Sequence, residues 1–229
     1  MNTQPPRPLK ALEQLLQQGD IWQARRGTTP AAGTGLGSGY PALDHALLGG
    51  WQPGNLVELS YSAEGCGELQ LLLPLLAQLS QQPRWIIWID PPHIPFPAAL
   101  AAAGVDLGRI LMVHSKGPRE PGWVMEQALR SGGCSAVLGW LPQADQRMIR
   151  RLQLAASQQP VYGFLLRHEP SPASGSAAAY RLQLQPLPES TGITLLKRRQ
   201  GWPLPRQALP LAQHRLLAAT SKPGLVRVK

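Results

Sequence analysis

The stretch VELSYSAEGCGELQLLLPLL, Val57 to Leu76, decides how the fold of this chain is interpreted. Its apolar start at Val57 and Leu59 predicts a buried strand, and its Leu-rich end predicts a helix. A turn containing Gly65 and Gly67 joins the two. Strand, glycine-containing turn and helix in this order are typical of a phosphate-binding loop. The stretch therefore predicts the first strand and helix of an α/β fold of the nucleotide-binding type.

The turn itself lacks the groups that hold a nucleotide. A loop of the pattern GxxxxGK[ST] wraps phosphates with backbone N–H groups, meets their charge with lysine and binds Mg²⁺ through a hydroxyl. With Gly67 at the last glycine of the pattern, Glu68 stands at the lysine position and Leu69 at the Ser/Thr position. A carboxylate repels a triphosphate at close range. We therefore predict a degenerate nucleotide loop formed by Gly65, Cys66, Gly67, Glu68 and Leu69.

Two other positions that an ATPase needs are also replaced. Asp90 and two prolines follow the apolar run WIIWI, where a catalytic glutamate would stand, and we interpret Asp90 as a hydrogen-bonding residue at a strand end. Gly139 and Trp140 end a later strand where an Mg²⁺-binding aspartate would lie. No His or Cys residues have metal-ligand spacing. We therefore predict a pseudo-ATPase, not an enzyme, with no cofactor and no metal site.

Strand and helix patterns alternate along the middle of the chain. Such alternation predicts a mostly parallel sheet covered by helices on both faces. Two further alternating runs, 180–185 and 193–198, predict a C-terminal β-hairpin. The predicted strands of the alternating part are 55–59, 85–89, 110–114, 136–140 and 162–166, and the helices are 68–81, 97–103, 121–130 and 144–157.

The chain divides into three predicted parts. Residues 1–33 form an N-terminal helical arm and linker, residues 34–209 a core domain, and residues 210–229 a basic tail. Leucines at helical spacing in the arm predict a docking helix that binds a partner or packs on its own core; both alternatives stay open. The residues of this docking helix are Leu9, Leu12, Leu16 and Trp22.

Charge is distributed unevenly along the chain. Residues 1–145 carry 9 Lys/Arg and 11 Asp/Glu, a net charge of −2, whereas residues 146–229 carry 13 Lys/Arg and 2 Asp/Glu, a net charge of +11. This asymmetry predicts an acidic partner, either DNA or an acidic protein face, with a merely solvated basic surface as the alternative. The candidate contact residues are Arg147, Arg150 and Arg151 on one helix and Lys197, Arg198 and Arg199 at the end of the hairpin.

Composition bears on the cellular compartment. Only two cysteines are present among 229 residues, which indicates a reducing environment. The N-terminal sequence MNTQPPRPLK contains no apolar signal-peptide region, and no run of about 18 apolar residues follows. We therefore predict a soluble cytoplasmic protein.

Several segments resemble the core of RecA-type ATPases. These segments are GSGYPALDHALLGGWQPGNLVEL (37–59), WIDPPHIPFPAALAAAGVDLGRILMV (88–113) and ALRSGGCSAVLGW (128–140). Within that superfamily the chain is similar to the ImuA family, whose members are associated with damage-induced translesion DNA synthesis and are related to SulA-type cell-division inhibitors. GDIWQARR (19–26), GELQLLLPLLAQLS (67–80) and RRLQLAA (150–156) add to this resemblance. It implies a RecA-like core of the P-loop NTPase type.

The resemblance also implies a function. It is that of a non-catalytic adaptor in SOS-induced translesion synthesis, a mutasome component that contacts an ImuB-like Y-family polymerase homologue, RecA and an error-prone replicative-type polymerase. DNA contact through the basic C-terminal half and nucleoid association after damage would follow. Two alternatives remain: a SulA-like cell-division inhibitor that binds FtsZ, and a residual nucleotide-binding regulator. The long basic C-terminal extension favours the adaptor, because a minimal SulA-like core would not need it.

Overall fold

A single mixed β-sheet runs through the described part of this chain. The computed structural model describes residues 35–63, 65–117, 120–168 and 175–211. The strands are β1 (Asn55–Tyr61), β2 (Trp85–Ile89), β3 (Ile110–Val113), β4 (Cys134–Trp140), β5 (Tyr162–His168), β6 (Tyr180–Leu187), β7 (Ser190–Lys197) and β8 (Leu204–Leu209). The helices are α1 (Pro41–Ala46), α2 (Glu68–Ser80), α3 (Pro97–Ala102), α4 (Glu120–Arg130) and α5 (Gln146–Ala156), with a 3₁₀ turn at Leu107–Arg109.

The order of strands across the sheet is β3-β2-β4-β5-β1-β6-β7-β8. The pairs from β3 across to β6 are parallel. A helix precedes each of β2, β3, β4 and β5, and these crossovers return the chain to the same end of the sheet. The pairs β6–β7 and β7–β8 are antiparallel. β3 and β8 are therefore the two edge strands, and β1 lies inside the sheet.

The core lies on both faces of the sheet. Leu59, Leu72 and Trp88 belong to the cluster on one face, and Met125 and Leu152 belong to the cluster on the other. All seven residues of β1 and of β4 are buried. Parallel strands that are covered on both faces have continuous apolar sequences, because side chains on both sides of the strand are buried. The runs WIIWI and AVLGW show this pattern.

The individual elements predicted between residues 55 and 168 are confirmed. Each predicted strand or helix in this range occurs, and its ends differ by two residues or fewer. Strand β8 was not predicted, because its sequence LPRQAL carries a proline, an arginine and a glutamine rather than an alternating apolar pattern. Polar residues and proline are common on edge strands, where one side of the strand faces solvent.

The predicted fold class is nevertheless wrong. The prediction was a RecA-like core of the P-loop NTPase type that ends in a β-hairpin, whereas the sheet is mixed and ends in the three antiparallel strands β6, β7 and β8. The turn after β1 is also closed by the chain itself. The Thr191 hydroxyl in β7 donates to the Cys66 carbonyl at 2.8 Å, and a Cβ on Gly67 would lie 2.6 Å from the Leu211 side chain. Strand β7 and Leu211, which follows β8, thus pack against the turn that the sequence predicts to be a degenerate nucleotide loop.

The three-part division of the chain stays a prediction. The predicted arm and almost all of the predicted tail lie outside the described residues, and so do Leu9, Leu12, Leu16 and Trp22. Within the described residues, none of the helices is long and apolar enough to cross a membrane.

Candidate partner-binding surface

Three residues of the predicted nucleotide loop, Gly65 to Gly67, lie in the turn between β1 and α2, and Glu68 and Leu69 begin α2. The Gly65 N–H donates to the Glu68 carboxylate at 3.2 Å, so the carboxylate takes one backbone donor that a phosphate would need. Gly67 precedes α2 in a left-handed conformation with φ of 101°. In the described part of the chain, three or more His, Cys, Asp or Glu residues nowhere group closely enough to hold a metal. The backbone of the turn thus donates to Glu68, and the lysine of a phosphate-binding loop is absent from position 68.

Cys66 lies within this turn as a buried thiol. Burial raises its pKa to about 12, and the negative charge of Glu68 adds to the increase. The thiol is therefore neutral at physiological pH. This environment excludes an activated nucleophile at Cys66, because nucleophilic cysteines have lowered pKa values.

The three arginines predicted on one helix face lie on α5, and all three are exposed. The guanidinium of Arg151 donates to the carboxylate of Glu126, a buried residue of α4 that also pairs with Arg130 at 2.8 Å. Arg151 therefore joins two helices. Arg147 and Arg150 have neither an ion pair nor a hydrogen bond within the described residues, so they stay available to a partner.

The second predicted basic cluster is tied to its own fold. The Lys197 ammonium donates to the carbonyls of Ser176 at 2.8 Å and Ala178 at 2.7 Å. Burial lowers the pKa of Lys197, and the nearby charge of Arg181 lowers it further. These contacts hold β7 against the segment that precedes β6, so Lys197 has a structural role.

The two arginines that follow Lys197 also have partners within the chain. The Arg198 guanidinium donates to the carbonyl of Ala46 at 2.8 Å and to that of Trp202 at 3.0 Å. The Arg199 guanidinium donates to the Asn55 side chain at 3.2 Å. A binding role for these two residues stays a prediction that must compete with these internal hydrogen bonds.

A surface that the sequence interpretation missed lies at the β3 edge of the sheet. Nine large apolar side chains are exposed among the described residues, and five of them fall within a span of 19 positions around α3 and β3. The five are close in sequence around one sheet edge, where Leu111 and Met112 project to opposite faces of β3. Exposed apolar side chains at such an edge are candidates for contact with other molecules. We call this the β3-edge surface; its members are Ile94, Phe96, Leu107, Leu111 and Met112.

The backbone of β3 adds to this surface. β3 pairs with β2 on one side only, so the outer N–H and C=O groups of Ile110–Val113 face away from the sheet. The strand contains no charged residue and no proline, the features that usually protect a sheet edge. The run ILMV predicts a strand but not its place at an edge, because strand order is not visible in one sequence. The sequence feature that could have indicated this surface is HIPFP (93–97), where apolar residues alternate with prolines in a loop.

The fold and this surface define the class of protein. It is an α/β protein with a mixed sheet, a turn after β1 that its own side chains fill, and an apolar sheet edge open to solvent. The family model described as "Cell division inhibitor SulA" matches residues 54–163, which include the whole β3-edge surface. The chain belongs to the SulA family.

Individual relatives support this assignment. Proteins named "Cell division inhibitor SulA" from Yersinia pestis (strain Pestoides F) and Yersinia pseudotuberculosis serotype O:1b (strain IP 31758) are each 35% identical over 131 residues. The match covers 56% of this chain and 78% of each relative. A solved structure of SulA from Pseudomonas aeruginosa is 27% identical and covers 49% of this chain and 98% of its own, with a TM-score of 0.42.

The identification with the ImuA family is therefore wrong. The translesion adaptor function, the ImuB-like, RecA and polymerase partners, and the DNA contact that came with it lose their support. The segments that suggested ImuA are the apolar strands and helices of the core, which report the fold rather than the function. The basic extension that favoured the adaptor lies largely outside the matched residues 54–163. The SulA-like alternative is the one that the comparisons support.

Proposed function

We propose that this protein is a cell-division inhibitor of the SOS response that binds FtsZ, the tubulin-like division protein, through the β3-edge surface. The observation that carries the proposal is the family match, since relatives at 35% identity bear the name cell division inhibitor. The matched residues contain the β3-edge surface and exclude β6 to β8.

The chemistry of the β3-edge surface suits a protein partner. Phe96 is 67% exposed and Ile94 is 79% exposed, so both leave water when a partner covers them. Complete burial of one such side chain contributes about 1.5–3 kcal/mol. Aromatic residues in the middle of an interface often dominate its binding energy. The open edge of β3 adds backbone groups that can pair with an extended segment of the partner.

Inhibition by binding needs no chemical step in this protein. We infer that the β1–α2 turn takes no part in hydrolysis of ATP, because the Glu68 carboxylate takes the Gly65 N–H and Leu211 packs against Gly67. The protein would act in the cytoplasm, where it would meet its partner. Its effect would depend on the concentration of the complex, as for any stoichiometric inhibitor.

The test uses the doubly substituted variant Ile94→Asp/Phe96→Asp. Its affinity for purified FtsZ, measured by isothermal titration calorimetry, should fall about 30-fold or more, because two anchors are lost and two charges must be desolvated. It should also fail to inhibit the GTPase activity of FtsZ and fail to produce filamentous cells on overexpression. ATP added to the calorimetric assay should leave the affinity of the wild-type protein unchanged.

Trp202→Asp provides the matched control. Trp202 is 75% exposed in the segment between β7 and β8, so the substitution makes the same change of chemistry at a distant surface. It should bind FtsZ as the wild-type protein does. A Trp202 variant that loses binding while the double variant retains it would place the interface elsewhere, and wild-type protein that does not bind FtsZ would refute the proposed function.

A further inference from the structure

A cavity of about 330 Å³ opens at the carboxyl edge of β2 and β4, beside the first turns of α4 and α5. In α/β sheets, this edge is where ligands usually bind. The volume falls within the range of small-molecule and side-chain binding pockets. Its lining includes Asp90, Gly122, Trp140, Pro142 and Met148, and this site is separate from the β3-edge surface.

Asp90 is the charged residue of the lining. It adopts a left-handed backbone conformation with φ of 47°, which few residues other than glycine adopt and which is more common in Asp and Asn. Its carboxylate accepts the Ser115 N–H at 2.8 Å and the Ser115 hydroxyl at 2.5 Å. A carboxylate has about four acceptor positions, so these two bonds orient Asp90 and leave capacity for a ligand.

The other walls of the cavity are mainly apolar. Trp140 occupies the backbone position beside Asp90, since Ile89 pairs with Gly139 in the neighbouring strand. Gly122 permits the close approach of Met148, whose methyl carbon would lie 2.5 Å from a Cβ at that position. The Trp140 ring itself packs against Trp88 in the core cluster on the other face of the sheet. The flexible thioether of Met148 can adapt its shape to an apolar group in the cavity.

The two helix ends beside the cavity do not make it a site for anions. Glu120 lies in the first turn of α4 and Asp145 caps α5, where it accepts the Met148 N–H at 2.7 Å. These carboxylates satisfy the preference of helix N-termini for negative charge. None of the residues that line the cavity is basic. Among the described residues that line the cavity, Asp90 is the charged one.

We propose that this cavity binds an organic cation, a guanidinium, amidinium or ammonium group on an apolar stem, with Asp90 as its counter-ion. The stem lies against Leu141, Pro142 and Met148, and the charged group pairs with the Asp90 carboxylate. The cation is either a free small molecule or an Arg or Lys side chain of a partner. This site is additional to the proposed function and does not depend on binding to FtsZ.

The test titrates the full chain, labelled with ¹⁵N, with benzamidine and with its neutral analogue benzamide. Benzamidine should bind in the millimolar range, at least about fivefold more tightly than benzamide, and should shift the backbone N–H signals of the lining residues Leu141 and Gln143. Asp90→Asn should remove this preference and leave both compounds with the weaker affinity. Asparagine suits the variant because it tolerates the left-handed conformation and can keep both hydrogen bonds to Ser115.

A second variant tests the location of the site. Ala144→Leu should fill the cavity and abolish binding of both compounds, with the thermal midpoint as a check that the chain still folds. Equal affinity of the wild-type protein for benzamidine and benzamide would overturn the proposal, as would benzamidine binding that neither variant changes. If excess benzamidine weakens FtsZ binding, the natural cation belongs to the partner; if FtsZ binding is unchanged, it is a free molecule.

Discussion

At the scale of single residues, a few side chains decide what the β1–α2 turn can do. Glu68 brings a negative charge to a turn whose pattern calls for a positive one, and its carboxylate accepts the Gly65 N–H. The same charge acts on Cys66, whose pKa burial and Glu68 together raise to about 12. Burial is the larger cause of the raised pKa of Cys66, and the charge of Glu68 adds to it.

Cys66 should therefore react very slowly with iodoacetamide at pH 8, where a pKa of about 12 leaves about one thiol in 10⁴ ionised. Glu68→Gln should lower this pKa and increase the rate of alkylation of Cys66, measured by mass spectrometry of the labelled peptide. Cys134, buried in the other core cluster, should keep its rate and serves as the internal control. An equal increase at both cysteines would instead indicate opening of the fold.

The raised pKa of Cys66 also has a consequence for stability. The folded chain keeps this proton up to about pH 12, whereas an unfolded thiol loses it near the ordinary value of 9. The folded state therefore binds more protons between these two values, and the contribution of Cys66 to the free energy of unfolding falls as the pH rises through this window.

At the scale of elements, one buried carboxylate adds ion pairs to the apolar packing of α4 against α5. Glu126 is almost completely buried and meets Arg130 of its own helix and Arg151 of α5. A buried carboxylate costs free energy unless it is paired and hydrogen-bonded, and these two arginines provide the pairing. The sequence pattern predicts Arg151 as a binding residue because helical spacing places it on one face with Arg147 and Arg150. The same spacing does not show that Glu126 of α4 pairs with Arg151.

Glu126→Gln should lower the free energy of unfolding in urea by about 1–2 kcal/mol, because two charge-assisted hydrogen bonds are weakened while both arginines remain accessible to water. Arg151→Gln should lower the free energy of unfolding by a smaller amount, since Glu126 keeps its ion pair with Arg130. Arg147→Gln, on the same helix but without a partner in the described residues, should change stability by less than about 0.5 kcal/mol. If the Glu126 variant is as stable as the Arg147 variant, the ion pairs of Glu126 do not stabilise the packing of α4 against α5.

At the scale of the whole molecule, the C-terminal strands close over the turn that follows β1. Leu211, two residues beyond β8, is 2% exposed and lies against Gly67, more than 140 positions earlier in the chain. Thr191 adds its hydrogen bond to the same turn. The predicted boundary at residue 209 therefore lies two residues before a buried side chain of the core.

A chain truncated after Leu209 should be about 1.5–3 kcal/mol less stable in urea than a chain truncated after Leu211, the contribution of burying one leucine side chain. Leu211→Ala in the full-length protein should reproduce most of that loss and separates the side chain from the effect of shortening the chain. Equal stability of the two truncated chains would show that the contact between Leu211 and Gly67 is not a stabilising one.

The sequence by itself determined which segments form strands and helices from Asn55 to His168, because burial on both faces leaves apolar runs that local patterns report. It also determined that the β1–α2 turn lacks the lysine of a phosphate loop. Only the tertiary structure decided which strand lies at the edge, that Arg151 and Lys197 have internal partners, and that Asp90 faces a cavity. These depend on contacts between residues far apart in the chain, and the spacing of residues along a sequence carries no record of such contacts.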